Sequence, residues 1–206
     1  MKVVLLNGSP NENGCTYTAL SEVAKTLEEN NVETEILQIG KEPVRGCIAC
    51  MGCKKAGKCV FDDMANEYVK KVTESDGFIV GSPVYYASAN GSLISLLDRI
   101  FYSSGDKFEF KPGAVVASAR RAGTTATIDE LNKYFGIKQM PLISSSYWNM
   151  VHGNTPEEVM QDEEGLQVMR NLARNMAWIL KCIENGKKDG INLPENESGA
   201  RTNFIR

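Results

Sequence analysis

The segment Gly8-Ser9-Pro10-Asn11-Glu12-Asn13-Gly14-Cys15-Thr16 follows directly on the apolar run Val3-Val4-Leu5-Leu6. A β-branched run that breaks into Gly, Ser, Pro and Asn, then resumes with helical spacing, describes a strand, a loop and a helix N-terminus. Free backbone N–H groups and the positive end of the helix dipole meet there, which favours a bound phosphate. Ser9, Thr16 and Thr18 add hydroxyl donors. The spacing is neither G-x-G-x-x-G nor G-x-x-x-x-G-K-[ST]. Because the loop has no lysine, it suits a single phosphomonoester better than a triphosphate.

Two more segments could complete such a site. Gly81-Ser82-Pro83-Val84-Tyr85-Tyr86-Ala87-Ser88-Ala89-Asn90 leaves a strand stiffened by proline. Its two tyrosine rings can pack on a flat heterocycle and exclude water, or simply cap a turn. In Ser118-Ala119-Arg120-Arg121-Ala122-Gly123-Thr124-Thr125, small residues permit close backbone approach and the arginines supply fixed positive charge. Cations at a helix N-terminus oppose its dipole, so a binding role is preferred over a solvent-facing pair.

Cys47, Cys50, Cys53 and Cys59 form a C-x2-C-x2-C-x5-C run. That compactness lets four thiolates converge on one inorganic centre, in the manner of iron–sulfur ligation. Zinc loops generally separate their two pairs more widely. Cys182 lies on an apolar pattern and reads as a buried structural thiol. His152 is the only histidine, and no nucleophile motif accompanies it. A local hydrogen bond, a substrate pocket and a subunit contact all remain open for it.

The elements that must position these groups alternate along the chain. Strands are expected at Lys2–Asn7, Glu33–Ile39, Gly77–Gly81, Pro112–Ala119 and Gln139–Ser146. Helices are expected at Thr16–Asn30, Asp62–Thr73, Asn90–Tyr102 and Thr125–Phe135. A long closing helix spans Pro156–Asn185, with a break near Gly165. Five βα units imply a parallel sheet covered on both faces. The right-handed crossover rule and the single phosphate loop favour the flavodoxin-like α/β three-layer sandwich, with a five-stranded sheet of order 2-1-3-4-5. Residues 1–186 form the single expected domain and 187–206 a polar arm. A net charge of −3 gives no electrostatic reason to expect nucleic acid or an anionic membrane as partner. No run approaches the ~20 apolar residues of a membrane span and no signal peptide opens the chain, so a cytoplasmic location is expected.

Gly8-Ser9-Pro10 with Gly14-x-Thr16, Gly81-Ser82-Pro83-Val84-Tyr85 and Asp98-Arg99 occur in this order. Together they resemble the NAD(P)H-dependent FMN reductase family, most strongly over residues 1–125. The resemblance implies that Ser9, Asn11, Gly14, Cys15 and Thr16 hold the FMN phosphate. Pro83, Val84, Tyr85 and Tyr86, with Ser118, Arg120, Arg121 and Gly123, would then flank the isoalloxazine ring. Cys15 stands where the family usually has Asn, which keeps the backbone donors and removes an amide. The cysteine run is similar to that of iron–sulfur flavoproteins, a branch that pairs FMN with a [4Fe–4S] cluster. Members without a cluster also carry several of these cysteines before Asp-Asp-Met, as in Cys59-Val60-Phe61-Asp62-Asp63-Met64 here. Both readings stay open.

The leading functional expectation is an FMN-dependent oxidoreductase that takes hydride from NAD(P)H and passes electrons to a small acceptor, a quinone, flavin, azo or nitro compound. Its chemistry lies on the flavin and needs no catalytic side chain. One alternative is an iron–sulfur flavoprotein carrying single electrons between ferredoxin and FMN. Another is a flavin-binding regulatory protein without turnover. A homodimer or homotetramer is expected, with contacts through Trp148–His152 and the last helix.

Overall fold

The computed structural model describes residues 1–200, 202 and 204. Part of the expected arm 187–206, namely 201, 203, 205 and 206, lies outside the described residues. The strands are β1 (Lys2–Asn7), β2 (Glu33–Gln38), β3 (Gly77–Tyr85), β4 (Ser88–Ala89), β5 (Gly113–Ala119) and β6 (Met150–His152). The helices are α1 (Cys15–Glu29), α2 (Gly52–Ala56), α3 (Met64–Thr73), α4 (Gly91–Ser103), α5 (Thr124–Ile137), α6 (Pro156–Val159) and α7 (Glu163–Lys188).

The parallel strands lie in the order β2-β1-β3-β5-β6, and β4 pairs antiparallel with the end of β3. Setting that short strand aside, this is the expected 2-1-3-4-5 order. Alternation along each strand divides the apolar side chains between two layers. Val3, Leu5, Ile79 and Val116 pack under α1 and α7. Val4, Leu6, Phe78, Val80 and Val115 pack under α3, α4 and α5. In that second layer Phe78 lies against Phe101, Phe108 and Phe135, with ring centroids 5.9–6.3 Å apart. The Asp62-Asp63 helix start is present, with the Asp63 carboxylate accepting the Ala65 N–H at 3.1 Å.

Four expectations need correction. The fifth strand is Met150–His152, not Gln139–Ser146, which makes only a one-residue bridge at Leu142. The chain touches Gly113 at Leu142, then loops outward before rejoining β5 at Ala117. The closing helix, expected to break near Gly165, breaks a few residues earlier, between Val159 and Glu163. Thr155 caps α6 and Asp162 caps α7, and a Cβ at Gly165 would collide with the capping Asp162 carboxylate. Cys182 is exposed on α7, because the buried stripe runs through Met169, Leu172, Ala173, Met176 and Leu180. The Pro83–Asn90 loop is a hairpin: β3 continues to Tyr85 and returns as β4.

Candidate flavin and cysteine site

The loops after β1, β3, β5 and β6 meet at the carboxyl edge of the sheet and are tied there by hydrogen bonds. The Gly8 N–H donates to the Gly81 carbonyl at 2.8 Å, and the Asn90 amide donates to the Gly8 carbonyl at 2.7 Å. A Cβ at Gly8 would come within 2.7 Å of that Gly81 oxygen, so only glycine lets the two strand ends approach. The hydroxyls of Thr16 and Ser118 lie 2.7 Å apart, joining the first loop to β5. Cys15 donates its thiol to the Gly153 carbonyl at 3.6 Å, and burial pushes that thiol up.

The first loop has the form of an anion cradle. Gly14 is the N-cap of α1 and offers no side-chain cap, so the first N–H groups of a fifteen-residue helix face outward. The loop is shaped by Asn7, a fully buried residue at the end of β1. Its side chain accepts the Ser9 N–H at 3.1 Å and donates to the Asn11 carbonyl at 3.3 Å and to Gln38 at 2.7 Å. Ser9 Oγ accepts the Asn11 N–H at 3.1 Å. Sequence reasoning missed Asn7, although an amide closing an otherwise apolar strand was a usable signal.

Opposite the cradle stands the β3–β4 hairpin. Tyr86 and Ala87 form its two-residue tip with φ of 51° and 59°, a conformation that costs non-glycine residues about 1–2 kcal/mol each. Strain of this kind persists where surrounding structure imposes it. Here Glu130 of α5 accepts from Ser88 Oγ at 2.6 Å and from the Ala89 N–H at 2.9 Å. Tyr85 is exposed, Tyr86 fully so, while Pro83 and Val84 are half-buried. Gly123, the N-cap of α5 with φ of 94°, packs under the tip, and Arg120 and Arg121 beside it are exposed. His152 makes a local contact, its Nδ1 lying 3.3 Å from the Ala119 carbonyl oxygen.

The cysteine run forms a separate lobe against α4. Cys47, Cys50, Cys53 and Cys59 all line one cavity, together with Ile48, Val60, Phe61, Tyr102 and Arg99. Cys47 and Cys50 are exposed, and Cys53 and Cys59 half-buried. Ala49, Met51 and Gly57 take left-handed backbone angles that wind the run into a compact coil around α2. Asn66 holds its end, accepting the Cys59 N–H at 2.8 Å and donating to the Cys59 and Phe61 carbonyls at 3.0 and 2.9 Å. Among the described residues no three Cys, His or acidic side chains already converge closely enough to hold a metal ion. The chemistry of this donor set, four thiols within thirteen residues, fits a cysteine-ligated cluster.

The Asp63 carboxylate grips Arg99 through two hydrogen bonds, and this contact holds its carboxyl below the usual carboxylate range. A depressed folded value stabilises the protein above the unfolded value, near pH 4, and that contribution disappears as pH falls through the folded one. The gap in thermal midpoint between the parent and Asp63→Asn is therefore expected to close as pH drops below about 4. Melting curves from pH 7 to 3 check this, and a constant gap would contradict it.

Fold and site define a doubly wound α/β domain with an uncapped helix N-terminus after β1, an aromatic hairpin and an appended cysteine lobe. The model for "NADPH-dependent FMN reductase" matches residues 1–155. An iron–sulfur flavoprotein of Methanocaldococcus jannaschii is 32% identical over 192 residues, 89% of this chain and 100% of that one. An FMN-dependent NADPH-azoreductase of Staphylococcus saprophyticus is 28% identical over 58% of this chain and 61% of its own. The fold is shared with FerB, a flavoenzyme NAD(P)H:(acceptor) oxidoreductase of Paracoccus denitrificans. In that comparison the TM-score is 0.65 and the identity 15%, over 88% of this chain and 97% of the other. The chain belongs to the NADPH-dependent FMN reductase family, in its iron–sulfur flavoprotein branch, and is an oxidoreductase.

Proposed function

We propose that this chain is an FMN-dependent oxidoreductase whose four clustered cysteines hold a [4Fe–4S] cluster, so that electrons pass between cluster and flavin. The observation that carries the reading is the single apolar cavity lined by Cys47, Cys50, Cys53 and Cys59. The cluster supplies one-electron transfer, and FMN can exchange one or two electrons. Ser9, Gly14 and Thr16, with the α1 N-terminus, bind the FMN phosphate, and Asn11 and Cys15 frame the loop. Pro83, Val84, Tyr85 and Tyr86 cover one side of the ring. Next to this hairpin, Ser118, Arg120, Arg121 and Gly123 bring backbone donors and positive charge that stabilise negative charge on the ring. A ferredoxin-like carrier suits the one-electron side of this reading. A homodimer or homotetramer would cover the exposed Tyr147, Trp148 and Trp178.

Anaerobic purification with iron and sulfide analysis tests the proposal. About four irons per chain are expected, and replacing Cys50 or Cys53 by alanine should remove them while FMN stays bound. A second reading keeps the NAD(P)H-dependent reductase without a cluster, supported by the absence of a closed three-thiol set among the described residues. It requires an iron-free yellow protein that oxidises NADPH and passes the electrons to a quinone, azo or nitro acceptor.

A further inference from the structure

Arg99 is the largest of the fully buried side chains, and it forms part of the wall of the cysteine cavity. A buried guanidinium is costly unless its N–H groups are partnered. Here Nη1 and Nη2 donate to the Asp63 carboxylate at 2.9 and 2.6 Å. Nη1 also donates to the Arg45 carbonyl at 3.2 Å, and Nε donates to Cys59 Sγ at 3.3 Å. The plane lies over the Phe61 ring, 5.2 Å from its centroid.

An ion pair alone would need only the fork to Asp63. The two remaining contacts reach opposite ends of the cysteine run. Arg45 precedes Cys47 by two residues, and Cys59 is the last of the four thiols. Asp63 fixes the plane of the guanidinium, so the Nε–H direction is fixed as well, and it points at sulfur.

We propose that Arg99 is the positioning residue of the cysteine centre. It closes the run from both ends and directs one N–H and a buried positive charge at the Cys59 sulfur. This rests on the cluster reading above. Hydrogen bonds to cluster sulfurs and local charge set the reduction potential. Adding an electron makes the centre more negative, so a donor and a cation at Cys59 favour the reduced form. Asp63, on the far side of the same guanidinium, holds that donor in its direction.

The test uses Arg99→Lys and Asp63→Asn in the full chain, reconstituted anaerobically and titrated redox-optically alongside iron and FMN analysis. Arg99→Lys keeps a charge but loses the Nε–H and the fork. Its centre is expected to be harder to reduce by about tenfold, about 59 mV for one electron. Asp63→Asn keeps the arginine charge but releases the guanidinium plane, so its centre is also expected to be harder to reduce, by less, because the lost carboxylate charge partly offsets the lost hydrogen bond. An unchanged potential in an iron-loaded Arg99→Lys, or easier reduction in Asp63→Asn, would overturn the proposal. If Arg99→Lys does not retain iron, the sign in Asp63→Asn decides. An iron-free parent would remove the cluster reading instead, and hydrogen exchange then tests the clamp in the apo chain. Residues 45–61 should exchange faster in Arg99→Lys while α7 is unchanged. Equal exchange there would dispose of the clamp as well.

Discussion

The Gly123→Ala protein is expected to bind FMN about tenfold more weakly and to melt roughly 5–10 °C below the parent. Gly123 has φ of 94°, where an L side chain costs about 1–2 kcal/mol. The added Cβ would also sit 2.7 Å from Ala87 Cα and 2.8 Å from Val84 Cγ1. The first of these neighbours is backbone at the hairpin tip, so relief requires the hairpin to move. Glu130 resists that movement through its bonds to Ser88 and Ala89. Overpacking adds about 1–3 kcal/mol, for a total near 3 kcal/mol. Some of this strain appears as lost stability, and some as displacement of Tyr85 and Tyr86 from the proposed ring site. Flavin-fluorescence titration and melting of the apo protein separate the two. A lower melting point with unchanged FMN affinity would mean that the hairpin does not contact the ring.

What the sequence made legible is what local pattern controls. The strand–loop–helix at Lys2–Glu29 and the acidic start of α3 are written in consecutive residues, and both formed. Sheet order followed from the alternation of elements and the handedness of crossovers. The misreadings share a different origin. Gln139–Ser146 carries strand-like residues, but its pairing partner Gly113 lies far along the chain, and only that geometry shows the edge strand splitting around residues 144–149. The hairpin tip uses Tyr86 and Ala87 at positive φ, where glycine or asparagine would have announced the turn. In α7, Trp178 and Cys182 lie four residues apart on the outer face, so an apolar pattern was mistaken for a buried one.

The site divides in the same way. The cysteines were visible as a spacing, whereas the Arg99 and Asp63 side chains that fix them meet across thirty-six residues. The Asp98-Arg99 motif marked the place without indicating its contact. Tertiary proximity made it readable: the guanidinium reaches a carbonyl before the cysteine run and a thiol and a carboxylate at its end.

Ser9→Ala combined with Thr16→Val is expected to weaken FMN binding about a hundredfold while changing riboflavin binding by no more than about twofold. Ser9 Oγ already accepts the Asn11 N–H, which leaves its own hydrogen free to point out of the loop. Thr16 and Ser118 share one donor in their 2.7 Å contact, so the other hydroxyl hydrogen is also free. A hydrogen bond to a charged group contributes about 1.5–3 kcal/mol, and two at the low end reach the hundredfold change. Riboflavin lacks the phosphate, so its affinity reads the ring site alone. Equal losses for both ligands would show that the hydroxyls shape the loop and do not bind phosphate. Valine at 16 leaves Ser118 without its partner, and adding Ser118→Ala removes that secondary cost. The uncapped N–H groups in the first turn of α1 survive every one of these changes. Residual discrimination between FMN and riboflavin in the triple variant therefore measures what the helix N-terminus contributes by itself.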